Sequence, residues 1–401
     1  MFSPVPAIAA AILLAFAAAT LVAALAERIG FPLPASEGRM GCVDGLRGYL
    51  ALSVVAHHFI IWREVLLGGT WTAPTLPILN QLGAGAVGLF FMTTGFVFYR
   101  RVLTGFRKTS WPAVYITRVF RIVPLLVFSV AVVALIAMAR TGVQLGRNDL
   151  MALARWVTTW GEPGLAGDPD AGRTNAYVLW SLWFEWLFYI FVLPGAALLM
   201  DLVRGRLPSW TVPTALLGVA VVGGSLTSHL PLLHYLPLFA AGMFAFEARA
   251  RPALVRWLQG RVAALIAAAG LVSAALAFPM PLSPGFPAFA LFFICAACGN
   301  SFFGLLGTRG ALVLGEISFS LYLLHGIVLS LFFVEGDWIT IGIPAGTAML
   351  FLPLVSVAAV LVSCVTYLGV ERPAIRLGSH LASHWTRFRI RSQAPEVEVA
   401  P

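Results

Sequence analysis

Charged side chains are scarce in this chain. They form 11% of its 401 residues, against 60% hydrophobic ones and a mean hydropathy of +0.90. A soluble domain carries about twice that share of charge, so the composition excludes one and points to a polytopic membrane protein. Cysteine is scarce too: Cys42, Cys295, Cys298 and Cys364 are too few and too scattered for a disulfide framework. Cys295 and Cys298 have the spacing of a zinc or redox pair. Their run is apolar and holds no histidine or second cysteine pair, so no metal site is expected. Lysine is almost missing, Lys108 being the single one among 26 basic residues. The net charge of +9 thus rests on arginines at the ends of apolar runs, which meet anionic lipid rather than nucleic acid. A repeat of the kind that marks many transporters is lacking as well.

What abounds is apolar runs of about 20 residues, the length that crosses roughly 30 Å of hydrocarbon as a helix. Eleven are read, near 5–26, 46–66, 82–99, 119–139, 178–200, 211–228, 232–248, 262–278, 285–306, 311–334 and 345–369. The expected fold class is an all-α polytopic membrane protein. The first run is too long for a signal-peptide core and no basic residue precedes it, so it is read as a retained span despite a cleavage-like Ala24 to Ala26. With the N-terminus outside, 21 basic residues fall inside and five outside, the asymmetry of a chain whose cytoplasmic loops retain arginine. The C-terminus is then cytoplasmic. The outer loop 140–177 is rich in turn residues and is expected to be a lid rather than a core. From Ile375 a basic, partly amphipathic segment suits the inner leaflet, and the last residues read as disordered.

Ionisable groups at membrane depth cost several kcal/mol, roughly 2.5–3.5 on insertion scales, and so mark partners, cavities or function. His57, His58, Glu185 and His325 lie there, with Arg47, Arg118, Arg121 and Glu316 near the inner edge. In "DGLRGYLALSVVAHHF" (44–59), Asp44 is expected as the N-cap of an outward-running helix. Eleven helical steps of about 100° place Arg47 and His58 on one face, roughly 16 Å apart along the axis, while His57 points about 100° away. Each residue alone also reads as a snorkelling anchor or a packed histidine. Together they favour a polar cavity open to the cytoplasm.

That stretch resembles the first helix of the acyltransferase family 3 membrane proteins, with its arginine, ten residues, then histidine. "GAVGLFFMTTGFVFYR" (85–100) is similar to a further family segment, with Gly88 where aspartate is usual and Thr94 where serine is. "RVFRIVPL" (118–125), "LWSLWFEWLFYIFVLP" (179–194), "GEISFSLYLLHGIVL" (315–329) and "VERPAIRL" (370–377) resemble others, in the family's order. The resemblance covers about 40–377. It implies a ten-helix acyltransferase domain over 40–377, preceded by an extra helix and linker (1–39) and followed by a tail (378–401). The chain is expected to resemble the stand-alone members, which have no hydrolase-like domain after the last span.

The resemblance implies O-acylation of a carbohydrate or lipid-linked glycan hydroxyl in a bacterial-type inner membrane. The co-substrate is acyl-CoA, expected to be acetyl-CoA, with no bound cofactor. His58 is expected as general base, and Glu185 to polarise His58 or contact the acceptor; a structural role for Glu185 stays open. Arg47, Arg118 and Arg121 would hold the donor's phosphates, or else anchor the inner leaflet. Thr94, Trp180, Ser181, Tyr322 and His325 are expected around the pocket, and Trp183, Phe184 and Trp186 to reshape its wall. The alternative is a proton-coupled transporter or flippase relaying through His58 and Glu185.

Overall fold

In hydrocarbon each backbone N–H and C=O must find a partner within its own segment, so apolar runs become helices. The computed structural model describes residues 4–33, 41–226, 230–335 and 347–393. The end of the run 211–228, the linker near Arg39 and the end of the tail lie outside them. Twelve helices carry the architecture: α1 Pro4–Arg28, α2 Gly41–Leu66, α3 Ala84–Thr104, α4 Trp111–Thr141, α5 Leu179–Val203, α6 Thr211–Leu226, α7 Pro231–Ala248, α8 Arg261–Ala277, α9 Phe286–Ala297, α10 Arg309–Glu316, α11 Ser318–Glu335 and α12 Ala348–Thr386. Seven of them, α1 to α5, α11 and α12, contain segments long and apolar enough to cross a membrane. α8 with the short helix Pro252–Leu258 makes an eighth if that pair, bent by 66°, is one span. α6 and α9 are shorter apolar helices. The chain is an all-helical integral membrane protein.

Small residues set the closest crossings. A methyl at Gly95 of α3 would land on the carbonyl of Phe239 in α7, and one at Gly242 of α7 on that of Met92 in α3, so two backbones touch where lipid offers no hydrophobic drive. α1 buries Ala11, Ala15, Ala19 and Ala23 at i, i+4 spacing against α10 and α12 and turns Leu13, Leu14 and Leu21 outward. α2 lies against α10 and α11.

Two expectations are corrected. Asp44 does not cap α2: the helix already includes Gly41, and Asp44 sits in its first turn, 3.7 Å from Arg47 at i, i+3. Segment 142–178 is not a mere string of turns. It contains a helix, Arg147–Val157, and buries Trp156, Leu165 and Asn175. Arg140, at the end of α4, ties it down by donating to Thr174 Oγ1 (3.0 Å), Ser330 Oγ (2.7 Å) and Glu335 (2.6 Å).

Among the described residues three π-turns interrupt the ladders, at Phe188–Val192, Leu331–Glu335 and Tyr367–Glu371. The first and third end two residues before Pro194 and one before Arg372-Pro373. Proline brings no N–H and crowds the carbonyl four residues back, which widens the turn before it. Each widened turn carries a residue used below: Tyr189, Glu335 and Glu371.

Candidate active site

α2, α3, α4, α5 and α11 enclose a cavity of about 310 Å³. At one end stand Asp44, Arg47, Arg118, Arg121 and Ser318; Thr94 and Glu185 line the middle, and Ser181 and Tyr322 the remainder. On α4, Arg118 and Arg121 are one turn apart and face the same way. On α5, Ser181, Leu182, Glu185 and Tyr189 share the inward stripe for the same reason. The structure thus brings Arg47, Arg118, Arg121, Thr94, Glu185, Ser181 and Tyr322 into one space.

At the arginine end two of the three cations have carboxylate neighbours, Arg47 with Asp44 and Arg121 with Glu371, while Arg118 lies over aromatic rings. Arg121 lies 3.9 Å from Glu371, which is buried and accepts a 2.7 Å bond from Ser320. Arg47 is within electrostatic reach of Arg121, Glu316 and Glu371. Arg118 spans the faces of Phe98 and Tyr189, 5.0 and 5.9 Å from the ring centres. The buried Arg118 Nε and Ser318 Oγ have no hydrogen-bond partner among the described residues. A buried unpaired donor costs free energy unless something accepts from it, so this end is complementary to an anion.

His58, expected to share the cavity with Arg47, and His325, expected around it, do not line it; they lie past Tyr322, whose ring centre is 6.2 Å from that of His325. His325 Nδ1 is 2.7 Å from the Tyr322 carbonyl oxygen. A carbonyl only accepts, so this nitrogen bears the proton and His325 Nε2 is the acceptor. His58 Nδ1, 3.0 Å from that Nε2 and 3.1 Å from the Val54 carbonyl, is then also protonated. Among the described residues none bonds the Nε2 lone pair of His58. Trp71 stacks over the ring at 6.4 Å. His57, by contrast, is buried, lies 3.1 Å from the Leu79 carbonyl and packs against Gly83.

Several expected roles change place. Glu185 does not face His58: its carboxylate accepts from Tyr189, over whose ring Arg118 lies. His325 occupies the place beside His58, because α11 lies against α2. Trp180 is turned away from the cavity, 42% exposed and against Tyr235. Trp183 stacks on Trp160 and Phe184 meets Tyr235 at a tilt, and none of Trp183, Phe184 and Trp186 lines the cavity; α5 turns them to its other faces. Gly88 meets Pro281 and Leu238 rather than the cavity. Trp71, Ser318 and the bonding of Glu371 were not singled out in the sequence. Trp71 sits in a loop with no pattern of its own, and only the motif "VERP" flagged Glu371.

The family model described as an acyltransferase domain matches residues 40–368. The chain belongs to acyltransferase family 3. No curated protein and no solved structure matches it. As a member of this family the protein is a membrane acyltransferase of the O-acyl-transferring type. Among the described residues of this acyltransferase, no three His, Cys, Asp or Glu side chains gather as they would around a metal ion.

Proposed function

We propose that this acyltransferase moves an acyl group, in the first instance acetyl, from acyl-CoA to a hydroxyl of a carbohydrate or glycan acceptor. The observation that carries the reading is the succession of an arginine-ended cavity, the Ser181–Tyr322 pair and a histidine with a free Nε2. Arg47, Arg118 and Arg121 suit the phosphates of coenzyme A. The apolar wall of Val87, Phe90 and Phe91 suits the pantetheine arm that follows. The thioester then reaches Ser181 and Tyr322, whose hydroxyls are 2.6 Å apart.

His58 Nε2 removes the acceptor's hydroxyl proton as its oxygen attacks the thioester carbonyl. The oxyanion that forms needs a donor, and either the Tyr322 or the Ser181 hydroxyl supplies it by turning its proton from the Val178 carbonyl. As the carbon–sulfur bond breaks, the imidazolium returns its proton to the thiolate, giving an ester and free coenzyme A. His325 Nε2 takes the Nδ1 proton bond throughout and steadies the transient charge. In the inner-membrane orientation, with the C-terminus cytoplasmic, the arginine end faces the cytoplasmic donor pool.

The test uses purified protein with labelled acetyl-CoA, comparing His58→Ala with His57→Ala. A general base contributes about 10²–10⁴ in rate, so His58→Ala loses that much thioester turnover while His57→Ala stays near the parent wherever it folds. Full activity in His58→Ala would sink the mechanism. Uptake into vesicles with no acyl-CoA requirement would instead favour transport.

A further inference from the structure

One carboxyl near the site has no part in this chemistry. Glu162 lies between the helix Arg147–Val157 and α5, and its Oε1 accepts from Asn175 Nδ2 at 3.1 Å and from the Leu179 backbone N–H at 3.2 Å. Leu179 N–H belongs to the same peptide unit as the Val178 carbonyl. That carbonyl oxygen is 3.1 Å from the Tyr322 hydroxyl and 3.1 Å from the Ser181 hydroxyl. A single peptide group is therefore gripped by Glu162 on one side and by the two cavity hydroxyls on the other. Hydrogen bonds in such a chain polarise one another.

The same carboxyl pins a strained turn. Ala176 and Tyr177 are consecutive left-handed residues, φ 54° and 49°, neither of them glycine. Such a conformation persists only where its surroundings impose it. Asn175, just before the turn, is buried and held by Glu162, with Ser129 of α4 3.4 Å away. Leu179, just after it, is the first residue of α5 and is held by the same oxygen. Between them Tyr177 sets its ring edge-on to Trp71, at 5.9 Å, and Trp71 covers His58.

We propose that Glu162 is a positioning residue for the transfer site: by fixing the Val178–Leu179 peptide and the turn at Ala176 and Tyr177, it holds the Ser181–Tyr322 pair in place and Trp71 over His58. The inference rests on the transferase reading of that site. The latch is expected to be pH-sensitive. Withdrawal of the carboxyl from water pushes its pKa up to about 8, against the two hydrogen bonds, which act the other way. The titratable groups facing it are Tyr177 and Tyr322; Asp170 and Arg173, beside Tyr177, pair with each other at 3.3 Å, and Glu185 acts on Tyr322 from the far side. None offers Glu162 a cation of its own. As pH rises through about 8 the carboxyl ionises, is drawn toward water and releases the peptide.

The experiment compares the full-length parent, Glu162→Gln and Glu162→Ala, with kcat and KM for acetyl-CoA measured from neutral to alkaline pH. Glu162→Gln keeps an acceptor oxygen and cannot ionise, so it retains neutral-pH kcat within about twofold and loses the alkaline limb. Glu162→Ala lowers kcat about 10–100-fold, the range for a supporting residue, with KM unchanged because the arginine end is untouched. In parallel, amide hydrogen exchange over 160–178, corrected for intrinsic rate, rises through about pH 8 in the parent and stays flat in Glu162→Gln. Parental kcat in Glu162→Ala, or parental pH dependence of loop exchange in Glu162→Gln, overturns the inference. A parent that turns over no thioester fails the transferase reading instead, and the exchange measurement still decides the latch.

Discussion

His325→Ala separates a structural histidine from one that serves His58. The substitution removes the acceptor 3.0 Å from His58 Nδ1 but leaves the Val54 carbonyl at 3.1 Å, so the proton still resides on Nδ1 and the free Nε2 survives. What is lost is the partner that aims the ring and shares its charge once it becomes imidazolium. A hydrogen bond to a charged group contributes about 1.5–3 kcal/mol, and each 1.4 kcal/mol is about tenfold in rate, so kcat falls about 10–100-fold. That is less than the loss on removing His58 itself. His325→Gln, whose amide oxygen can accept from Nδ1, recovers part of it. Thioester turnover is measured on purified protein, with gel filtration in detergent checking that the variants fold. In a His58→Ala background the His325 change has nothing left to act on, so the double variant matches His58→Ala within about threefold, the signature of residues acting as a unit. Losses that add, or full activity in His325→Ala, would refute the coupling.

Three other outcomes follow from the same geometry. Arg118→Gln removes the guanidinium Nε that lacks a partner among the described residues at the arginine end of the cavity and raises KM for acetyl-CoA tenfold or more with little change in kcat; the opposite split in steady-state kinetics would put Arg118 in the chemistry instead. Arg140→Ala frees Thr174, Ser330 and Glu335, and limited proteolysis within 142–178 then quickens several-fold, whereas unchanged cleavage would show that the clamp does not hold the loop. Gly242→Ala drives a methyl into the Met92 carbonyl and costs about 1–3 kcal/mol or more, seen as a lower detergent unfolding temperature, while Gly195→Ala, with open space around it, leaves that temperature unchanged.

Much of this site can be read along the chain because helical periodicity is a local rule. Arg118 and Arg121 one turn apart, and Ser181 and Glu185 one turn apart, must share faces whatever the helices pack against. The same rule misled where the chain departs from a regular helix or where a face had to be chosen. Asp44 was expected to begin α2, which instead already includes Gly41. Trp180 belongs to the motif, yet its place on α5 points it away from the cavity. A loop such as 142–178 has no period to betray its packing, so the burial of Trp156 and the grip of Glu162 left no trace in the pattern.

By itself, then, the sequence determined the medium, the helices, the family and the residues at membrane depth, because hydropathy and 3.6-residue periodicity act on neighbours in the chain. Only the tertiary structure decided who partners whom. Glu185 and His325 are equally plausible neighbours of His58 on paper, at sequence separations of 127 and 267 residues. The choice was made by α11 lying against α2 and by α5 turning its carboxylate to Tyr189. Contacts between distant helices depend on the fit of whole surfaces, and no local window of residues contains that information.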